Sequence, residues 1–183
     1  IAAGKTRSVD AGHVHWQGGE HFTINVFGIA FAAKVADRTN RKYKWMGPFG
    51  YTAAVIREVA GMKAGRTELV IDGVRQTVDA PLMTICNTIH TGGAMKMAPM
   101  AKTDDGLLDL LRLDPVGRVQ LLTRIFPKIF DGSHVEHPKV HFHQGKEFHM
   151  APDTPTPLLI DGDVMGQTPV SVTAIPAAFE LLA

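Results

Sequence analysis

The chain has 183 residues, with 19 basic and 18 acidic side chains and a formal net charge of +1. That balance excludes a strongly electrostatic nucleic-acid binder. Its 45% hydrophobic and 20% charged content is that of a globular protein with one sizeable core. The single cysteine, Cys86, sits in the apolar run Leu82-Met83-Thr84-Ile85-Cys86. It cannot form an internal disulfide and reads as a small buried hydrophobe in a reducing, cytoplasmic setting. No apolar stretch reaches the roughly 20 residues that span a bilayer, and no secretory leader is visible. The opening Ile1-Ala2-Ala3-Gly4, without Met, reads as a fragment or a processed form.

The first fifth predicts β structure. Lys5 to Val9, His13 to Trp16 and His21 to Phe27 are short runs separated by Gly12 and Gly18-Gly19. Ala30 to Arg38 predicts a short helix. A second helix starts at Pro48, which is favoured at a first helical position, and stops near Gly61. Phe49, Thr52, Ile56 and Val59 fall on one face of it, with Arg57 and Glu58 on another. Glu68 to Ile71 and Val74 to Val78 flank Asp72-Gly73, a strong hairpin signal. Pro81 to His90 and Leu107 to Leu113 predict longer apolar strands.

Asp114-Pro115 predicts the cap and first position of another helix, with Val116, Val119, Leu122, Phe126 and Ile129 as its buried stripe and Pro127 at its end. Short strands follow: Lys139 to His143, Glu147 to Met150, Leu158 to Ile160, Pro169 to Ala174 and Ala178 to Leu182. Strands cluster without regular alternation with helices. This predicts a mainly β, α+β chain, a two-sheet β-sandwich with helices on one side, over a single domain spanning residues 1–183.

Most of the chemistry is concentrated between residues 87 and 109. Asn87 and the loop Thr91-Gly92-Gly93 leave one apolar strand, and Asp104-Asp105-Gly106 turns into the next. Glycines admit close approach of backbone N–H groups to an anion, although a tight loop is the simplest reading here. A carboxylate flanked by backbone carbonyls in a tight turn offers hard oxygen ligands, beside the plain reading of a turn. Asp161-Gly162-Asp163 directly follows the strand Pro157-Leu158-Leu159-Ile160. It is a hairpin turn by pattern. Its two carboxylates, two residues apart, point the same way in extended geometry and could hold Mg²⁺ or take a hydroxyl proton. His13/His15 and His141/His143 alternate on strands, but no thiolate pair accompanies them, so they read as exposed strand residues rather than a zinc site. Lys34, Arg38, Arg41, Lys42 and Lys44 form a basic run beside Tyr43 and Trp45, readable as a solvated helix end or as a contact for anionic lipid or phosphate.

In this order the elements resemble the C-terminal domain of the diacylglycerol kinase and sphingosine kinase family, over almost the whole chain. The residues that carry the resemblance are Ser8-Val9-Asp10-Ala11-Gly12, Phe22 to Gly28, Gly47 with Tyr51, Asn87, Gly92-Gly93, Ala98-Pro99, Ala101, Asp105-Gly106, Gly132-Ser133-His134 and Asp161-Gly162-Asp163. The resemblance implies a β-sandwich of the NAD kinase and diacylglycerol kinase type. It implies the acceptor-lipid side of a bacterial-like, ATP-dependent lipid kinase that meets membranes peripherally.

By the same resemblance Asp161 is the candidate base, and Asp163 stands where the family has a glutamate. Asp10 belongs to a polar network lining the cleft. Asn87, Gly92 and Gly93 form the substrate-side loop. Asp105 is the Mg²⁺ ligand, completed by the backbone carbonyls of Lys102 and Leu107. ATP is the co-substrate, bound mainly by a partner domain. The family's Gly-Gly-Asp-Gly-Thr nucleotide loop occurs nowhere in the 183 residues, so this chain alone is expected to be inactive.

Asp163 is one methylene shorter than the family's glutamate, and Phe31-Ala32-Ala33 lacks an aspartate often found there, which argues against a sphingoid substrate. A non-catalytic lipid-binding or regulatory module is the alternative. An NAD kinase type of sandwich fits the 87–106 block and the Asp161 turn less well. Pairing of copies through an open edge strand is also compatible.

Overall fold

The computed structural model describes residues 4–46, 48–92 and 94–182. Among them twelve strands run as β1 (Thr6–Trp16), β2 (Gly19–Thr23), β3 (Val26–Ala30), β4 (Gly65–Ile71), β5 (Val74–Ala80), β6 (Leu82–Cys86), β7 (Leu108–Leu113), β8 (Val140–Gly145), β9 (Glu147–Pro152), β10 (Pro157–Ile160), β11 (Asp163–Gln167) and β12 (Val170–Leu182). The helices are α1 (Phe31–Arg38), α2 (Pro48–Val59) and the single turn α3 (Arg118–Gln120), which continues π-wound over Leu121–Ile125.

Two kinds of strand build two different sheets. Strands such as β4 and β5 alternate apolar and polar residues and can bury one face only. The strands β3, β6, β7 and β10 are apolar nearly throughout and can bury both. The first kind lies in a six-stranded antiparallel sheet of order β2-β1-β12-β9-β4-β5. The second kind forms the centre of another, of order β11-β10-β3-β6-β7-β8. Between the sheets lies an inner core that includes Phe27, Leu69, Leu108, Leu110, Phe148 and Met150. On the far face of the second sheet, Val55, Val59, Leu111, Leu113, Ile125 and Phe126 form an outer core with the helices. Leu110 and Leu111 are neighbours in sequence and both buried, because β7 is covered on both sides. The expected sandwich with helices on one side is the observed architecture. Gly28 makes it possible for α1 to lie on the second sheet: a Cβ there would come within 2.8 Å of the Ala32 Cβ.

Several boundaries differ from expectation, each for a physical reason. β11 escapes periodicity because its side chains are mostly exposed and carry no apolar alternation. The strands expected at Pro169 to Ala174 and Ala178 to Leu182 are one strand, β12. Its pairing with β1 shifts register between Val9 and Ala11, and Ala177 adopts φ +49 there. The α3 helix begins after Gly117 rather than at Asp114, whose carboxylate is engaged by Arg112 and His141 instead of capping. Within that helical stretch Val119 is 75% exposed, and Leu121 and Ile125 take the buried positions. In α2 the buried face is Ala54, Val55 and Val59, while Phe49 and Ile56 point outward at 74% and 54% exposure. Gly47, expected to open this helix, lies outside the described residues.

Phe148 is 2% exposed and packed in the inner core between the sheets. Phe148→Ala is expected to lower unfolding free energy by about 3–5 kcal/mol in urea denaturation. A midpoint equal to that of the parent chain would contradict the inner core described here.

Candidate functional site

Antiparallel register brings three connections to one end of the second sheet. Ile160 pairs with Phe27, Val26 with Cys86, and Cys86 with Asp109. The β10–β11 turn at Asp161-Gly162, the β2–β3 turn at Ile24-Asn25 and the long segment 87–107 therefore emerge side by side. Asp161 and Gly162 have φ of +48° and +106°, the geometry that tight two-residue hairpins require.

The Asp161 carboxylate takes four donors, all from the β2–β3 turn. Its Oδ1 accepts from the Thr23 hydroxyl at 2.7 Å, the Val26 amide at 2.8 Å and the Asn25 amide at 3.0 Å, and its Oδ2 accepts from the Ile24 amide at 2.8 Å. Oδ1 is thus filled, while Oδ2 has one donor and room for another. Asp163 is exposed, at the start of β11. The Asn40 carboxamide donates to the Gly162 carbonyl at 3.0 Å and ties the turn to the end of α1.

Asn87 is 1% exposed. Its Nδ2 donates to the carbonyls of Asp10 at 2.7 Å and Ile24 at 3.1 Å, and its own amide donates to the Asn25 carbonyl at 2.9 Å. Asp10 is buried as well; its Oδ2 accepts from the Gly106 amide at 2.7 Å and its Oδ1 from the Ala177 amide at 2.8 Å. One hydrogen-bonded chain therefore runs from Asp161 through Ile24, Asn87 and Asp10 to the acidic turn. Around Asp10 the structure forms a junction of backbone segments.

In the acidic turn Gly106 takes φ +72°, and the Leu107 amide donates to Asp105 Oδ1 at 3.1 Å. Asp105 and Lys102 are exposed. Asp109, two residues into the strand side of the turn, is buried, and neither of its carboxylate oxygens has a hydrogen-bond partner among the described residues. Burial, followed by the charge of Asp105, pushes its carboxyl up to about 6. Among the described residues no three His, Cys, Asp or Glu side chains converge on one point. A hard cation at this turn would therefore rest on Asp105 and backbone oxygens, a donor set suited to Mg²⁺ or Ca²⁺, with the uncompensated Asp109 charge nearby favouring it.

The loop after Asn87 folds back on itself: the Thr91 amide donates to the Met95 carbonyl at 2.9 Å, with Gly92 at φ +56°. A Cβ at Gly92 would lie 2.6 Å from the Met95 methyl, so the loop is filled by its own side chain. Gly93 lies outside the described residues. His134 pins the following segment through Nε2 to the Met97 carbonyl at 3.2 Å. Burial lowers its imidazole below the ordinary histidine value, an effect partly opposed by the Met97 bond.

Beside this loop an apolar groove of about 410 Å³ is bounded by Phe49, Tyr51, Thr52, Ala94, Met95 and Phe130. Tyr51 and Met95 also line a narrow apolar cavity of about 50 Å³, which reaches Val26, Thr84, Thr91 and Leu159. Burial pushes the Tyr51 phenol up to about 12, so it is a neutral wall residue, and likewise pushes the Cys86 thiol, buried in the adjoining core, up to about 12. Sequence reasoning missed Thr23 and Asp109. For Thr23 there was no signal; for Asp109, a lone carboxylate inside an apolar strand was one.

Residues 26–183 match the YegS C-terminal NAD kinase beta sandwich-like domain family. The diacylglycerol kinase of Mycobacterium tuberculosis (strain H37Rv) is 32% identical over 100% of this chain and 59% of its own length. That of Staphylococcus saprophyticus is 28% identical over 92% of this chain and 54% of its own. This chain thus spans a little over half the length of these relatives. A solved Bacillus anthracis str. Sterne structure, described as a candidate diacylglycerol kinase, superimposes with TM-score 0.74 at 20% identity, over 96% of this chain and 56% of that one. A second diacylglycerol kinase structure from that organism gives 0.65 at 19%, over 96% and 53%. At these identities the likeness concerns the fold.

Asn87→Ala strips donors from two carbonyls at once. It is expected to lower unfolding free energy by about 2–4 kcal/mol and to speed amide exchange at Gly106, which measurement of unfolding and hydrogen exchange on the same variant would check. For His134 the folded value lies below the unfolded one, so its contribution is complete above about pH 6.5 and is lost as pH falls through that value toward the folded one. His134→Gln keeps a donor and removes the titration. The loss of thermal stability between neutral and mildly acid pH is expected to shrink in that variant.

Proposed function

The chain belongs to the YegS C-terminal NAD kinase beta sandwich-like domain family, and from that premise we propose that it is the substrate-side part of an ATP-dependent lipid kinase acting on diacylglycerol or a similar lipid alcohol. The observation that carries this reading is a carboxylate, Asp161, held at the end of strands β3 and β10, which through Val26 and Leu159 also line a narrow apolar cavity that shares Tyr51 and Met95 with an apolar groove. A carboxylate at the mouth of an apolar slot suits a molecule with one reactive hydroxyl and hydrocarbon tails. The relatives named diacylglycerol kinase support the same choice.

In this reading the groove between Phe49, Met95 and Phe130 takes the acyl chains and leaves the hydroxyl at the Asp161 turn. The hydroxyl oxygen attacks the γ-phosphorus of ATP as the bond to the β-phosphate oxygen breaks, and the hydroxyl proton passes to Asp161 Oδ2. The three donors on Oδ1 and the one on Oδ2 hold that carboxylate in place, which matches a reaction governed by positioning more than by proton transfer. Asp163, exposed one residue past the turn, adds negative charge where phosphate and its counter-ion meet. Asp105, with the carbonyls of Lys102 and Leu107, would hold Mg²⁺, which when bound offsets negative charge and stiffens the turn. The junction through Asp10 and Asn87 keeps that turn in fixed register with Asp161. ATP itself would be held mainly by a second domain, and the lipid would be drawn from a membrane surface met peripherally. Among the described residues no helix is long and apolar enough to cross a membrane.

A second reading has one observation in its favour. The carboxylate of Asp161 is already committed to four donors, so it could serve only to shape the β2–β3 turn of a lipid-binding module without transfer chemistry.

The two readings separate in a phosphate-transfer assay from radiolabelled ATP to diacylglycerol in mixed micelles, using the full-length gene product that contains this chain. Asp161→Asn keeps one acceptor oxygen for Thr23, Asn25 and Val26 but loses the one for the Ile24 amide; it is expected to cut transfer by roughly a hundredfold or more while lowering the melting temperature by only a few degrees. Undiminished transfer would remove Asp161 from the chemistry. No transfer from the folded parent protein would favour the binding module. Ala94→Trp, at an exposed position on the groove wall, is expected to depress transfer to long-chain diacylglycerol more than to a short-chain analogue.

A further inference from the structure

Three of the donors on the Asp161 carboxylate are backbone amides, placed by the path of the β2–β3 turn. The remaining donor is a side chain, the Thr23 hydroxyl, 2.7 Å from Oδ1. Thr23 is the last residue of β2 and is 3% exposed. Its strand belongs to the first sheet, whereas Asp161 leaves β10 of the second. The bond therefore crosses between the sheets and ends on the candidate base. Among the described residues the Thr23 hydroxyl has no other partner. A hydroxyl carries one proton and an ionised carboxylate only accepts, so Thr23 donates.

A glycine aims that hydroxyl. Gly12 lies inside β1, directly opposite Thr23. A Cβ at Gly12 would lie 2.7 Å from the Thr23 Cγ2 methyl, while the next nearest atoms, of Leu108 and Val172, would stand at 3.4 and 3.5 Å. The threonine methyl thus occupies the notch that the missing side chain leaves, the close approach that a glycine within a strand permits. Two heavy atoms on Cβ make threonine stiff at χ1. With the methyl seated in the notch, the hydroxyl is left pointing at Asp161.

The consequence falls on the two carboxylate oxygens unequally. Oδ1 receives Thr23 and two amides, and Oδ2 receives one amide. An oxygen with two lone-pair directions has none to spare in the first case and one in the second. We propose that Thr23 is a positioning residue of the transfer reaction: held by the Gly12 notch, its hydroxyl closes Oδ1, so that the acceptor hydroxyl meets Oδ2 alone. In that step the acceptor oxygen bonds to the γ-phosphorus of ATP, the bond from that phosphorus to the bridging β-phosphate oxygen breaks, ADP leaves, and the hydroxyl proton goes to Oδ2. A carboxylate that offered either oxygen would hold the attacking atom in two places, only one of them in line with the phosphorus. The inference rests on the lipid-kinase reading, because it needs Asp161 to touch the acceptor hydroxyl.

The test is steady-state transfer to diacylglycerol in mixed micelles by the full-length gene product, with thermal melts and amide exchange on the same variants. Thr23→Val keeps the branching and removes the donor; it is expected to lower kcat by about tenfold, with KM for diacylglycerol within about twofold of the parent. Thr23→Ser restores the donor and is expected to hold transfer within about threefold of the parent. Gly12→Ala is expected to lose about as much as Thr23→Val, because its Cβ displaces the threonine methyl and turns the hydroxyl away. Adding Thr23→Ser to Gly12→Ala removes the displaced methyl and is expected to restore most of the transfer. Exchange of the Asn25 and Val26 amides is expected to stay slow in Thr23→Val, so that the turn itself is intact. In an Asp161→Asn background Thr23→Val is expected to change the residual transfer by less than about twofold, since it acts through that carboxylate.

Full transfer by Thr23→Val overturns the proposal, as does a rise in KM in place of the fall in kcat. So does the absence of recovery with serine, or a second full loss on top of Asp161→Asn. Fast exchange at Asn25 and Val26 alongside lost transfer would assign Thr23 to the stability of the turn and not to the reaction. Transfer lost in Asp161→Asn but kept in Thr23→Val sinks this inference and leaves the lipid-kinase reading standing. Transfer absent from the folded parent, or undiminished in Asp161→Asn, sinks that reading of Asp161 and this inference with it.

Discussion

A polar junction holds the two sheets together at one end, and the candidate site hangs from it. Elsewhere the sheets meet through apolar side chains such as Phe27, Leu110 and Phe148. At this end the buried carboxamide of Asn87, which extends β6 of the second sheet, reaches the carbonyl of Asp10 in β1 of the first. The Asp10 carboxylate answers by binding the amides of Gly106, just before β7, and of Ala177 in β12. Nearly every partner is backbone. Such a junction fixes the path of the chain rather than the rotamer of a side chain, and leaving one member out strands buried polar groups. The two sheets can slide on an apolar core at modest expense; they cannot slide here.

This division of labour runs through the molecule. The end of the second sheet is stiff: the Asp161 carboxylate and the Asn87 carboxamide grip the same short turn from opposite sides, through its amides and its carbonyls. The outer core is softer. It is built from helices with wide or tight winding at 39–46 and 121–129, and from a flexible methionine at 95 that separates groove from cavity.

What was readable in the chain follows from the range of the forces involved. The Asp72-Gly73 and Asp161-Gly162 hairpins were legible because a two-residue turn depends on its own φ values, which only a few residue types tolerate. The sandwich was legible from the number and apolarity of the strands. The contacts that give Asp161 its setting were not, because its donors lie 135 to 138 residues away. Asp10 was singled out only through a likeness to other chains, whereas Asn87 and the Asp104-Asp105-Gly106 turn also stood out locally as polar residues between two apolar strands. Asp109 was the reverse case, a charge in the middle of Leu107-Leu108-Asp109-Leu110-Leu111, visible locally and passed over.

The α2 helix shows where periodicity stops being informative. Its sequence supports two apolar faces: Ala54, Val55 and Val59 on one, and Phe49 and Ile56 on the other. Spacing alone identifies both and ranks neither. The sheet surface decides, because the face of small residues can approach strands already crowded by Met95 and Leu113 while the face with Phe49 cannot. A helix that is apolar on two sides has two apolar neighbours or carries an exposed liability. The second sheet is one neighbour. The other side has no such cover among the described residues, and Phe49 and Ile56 stay exposed at 74% and 54%.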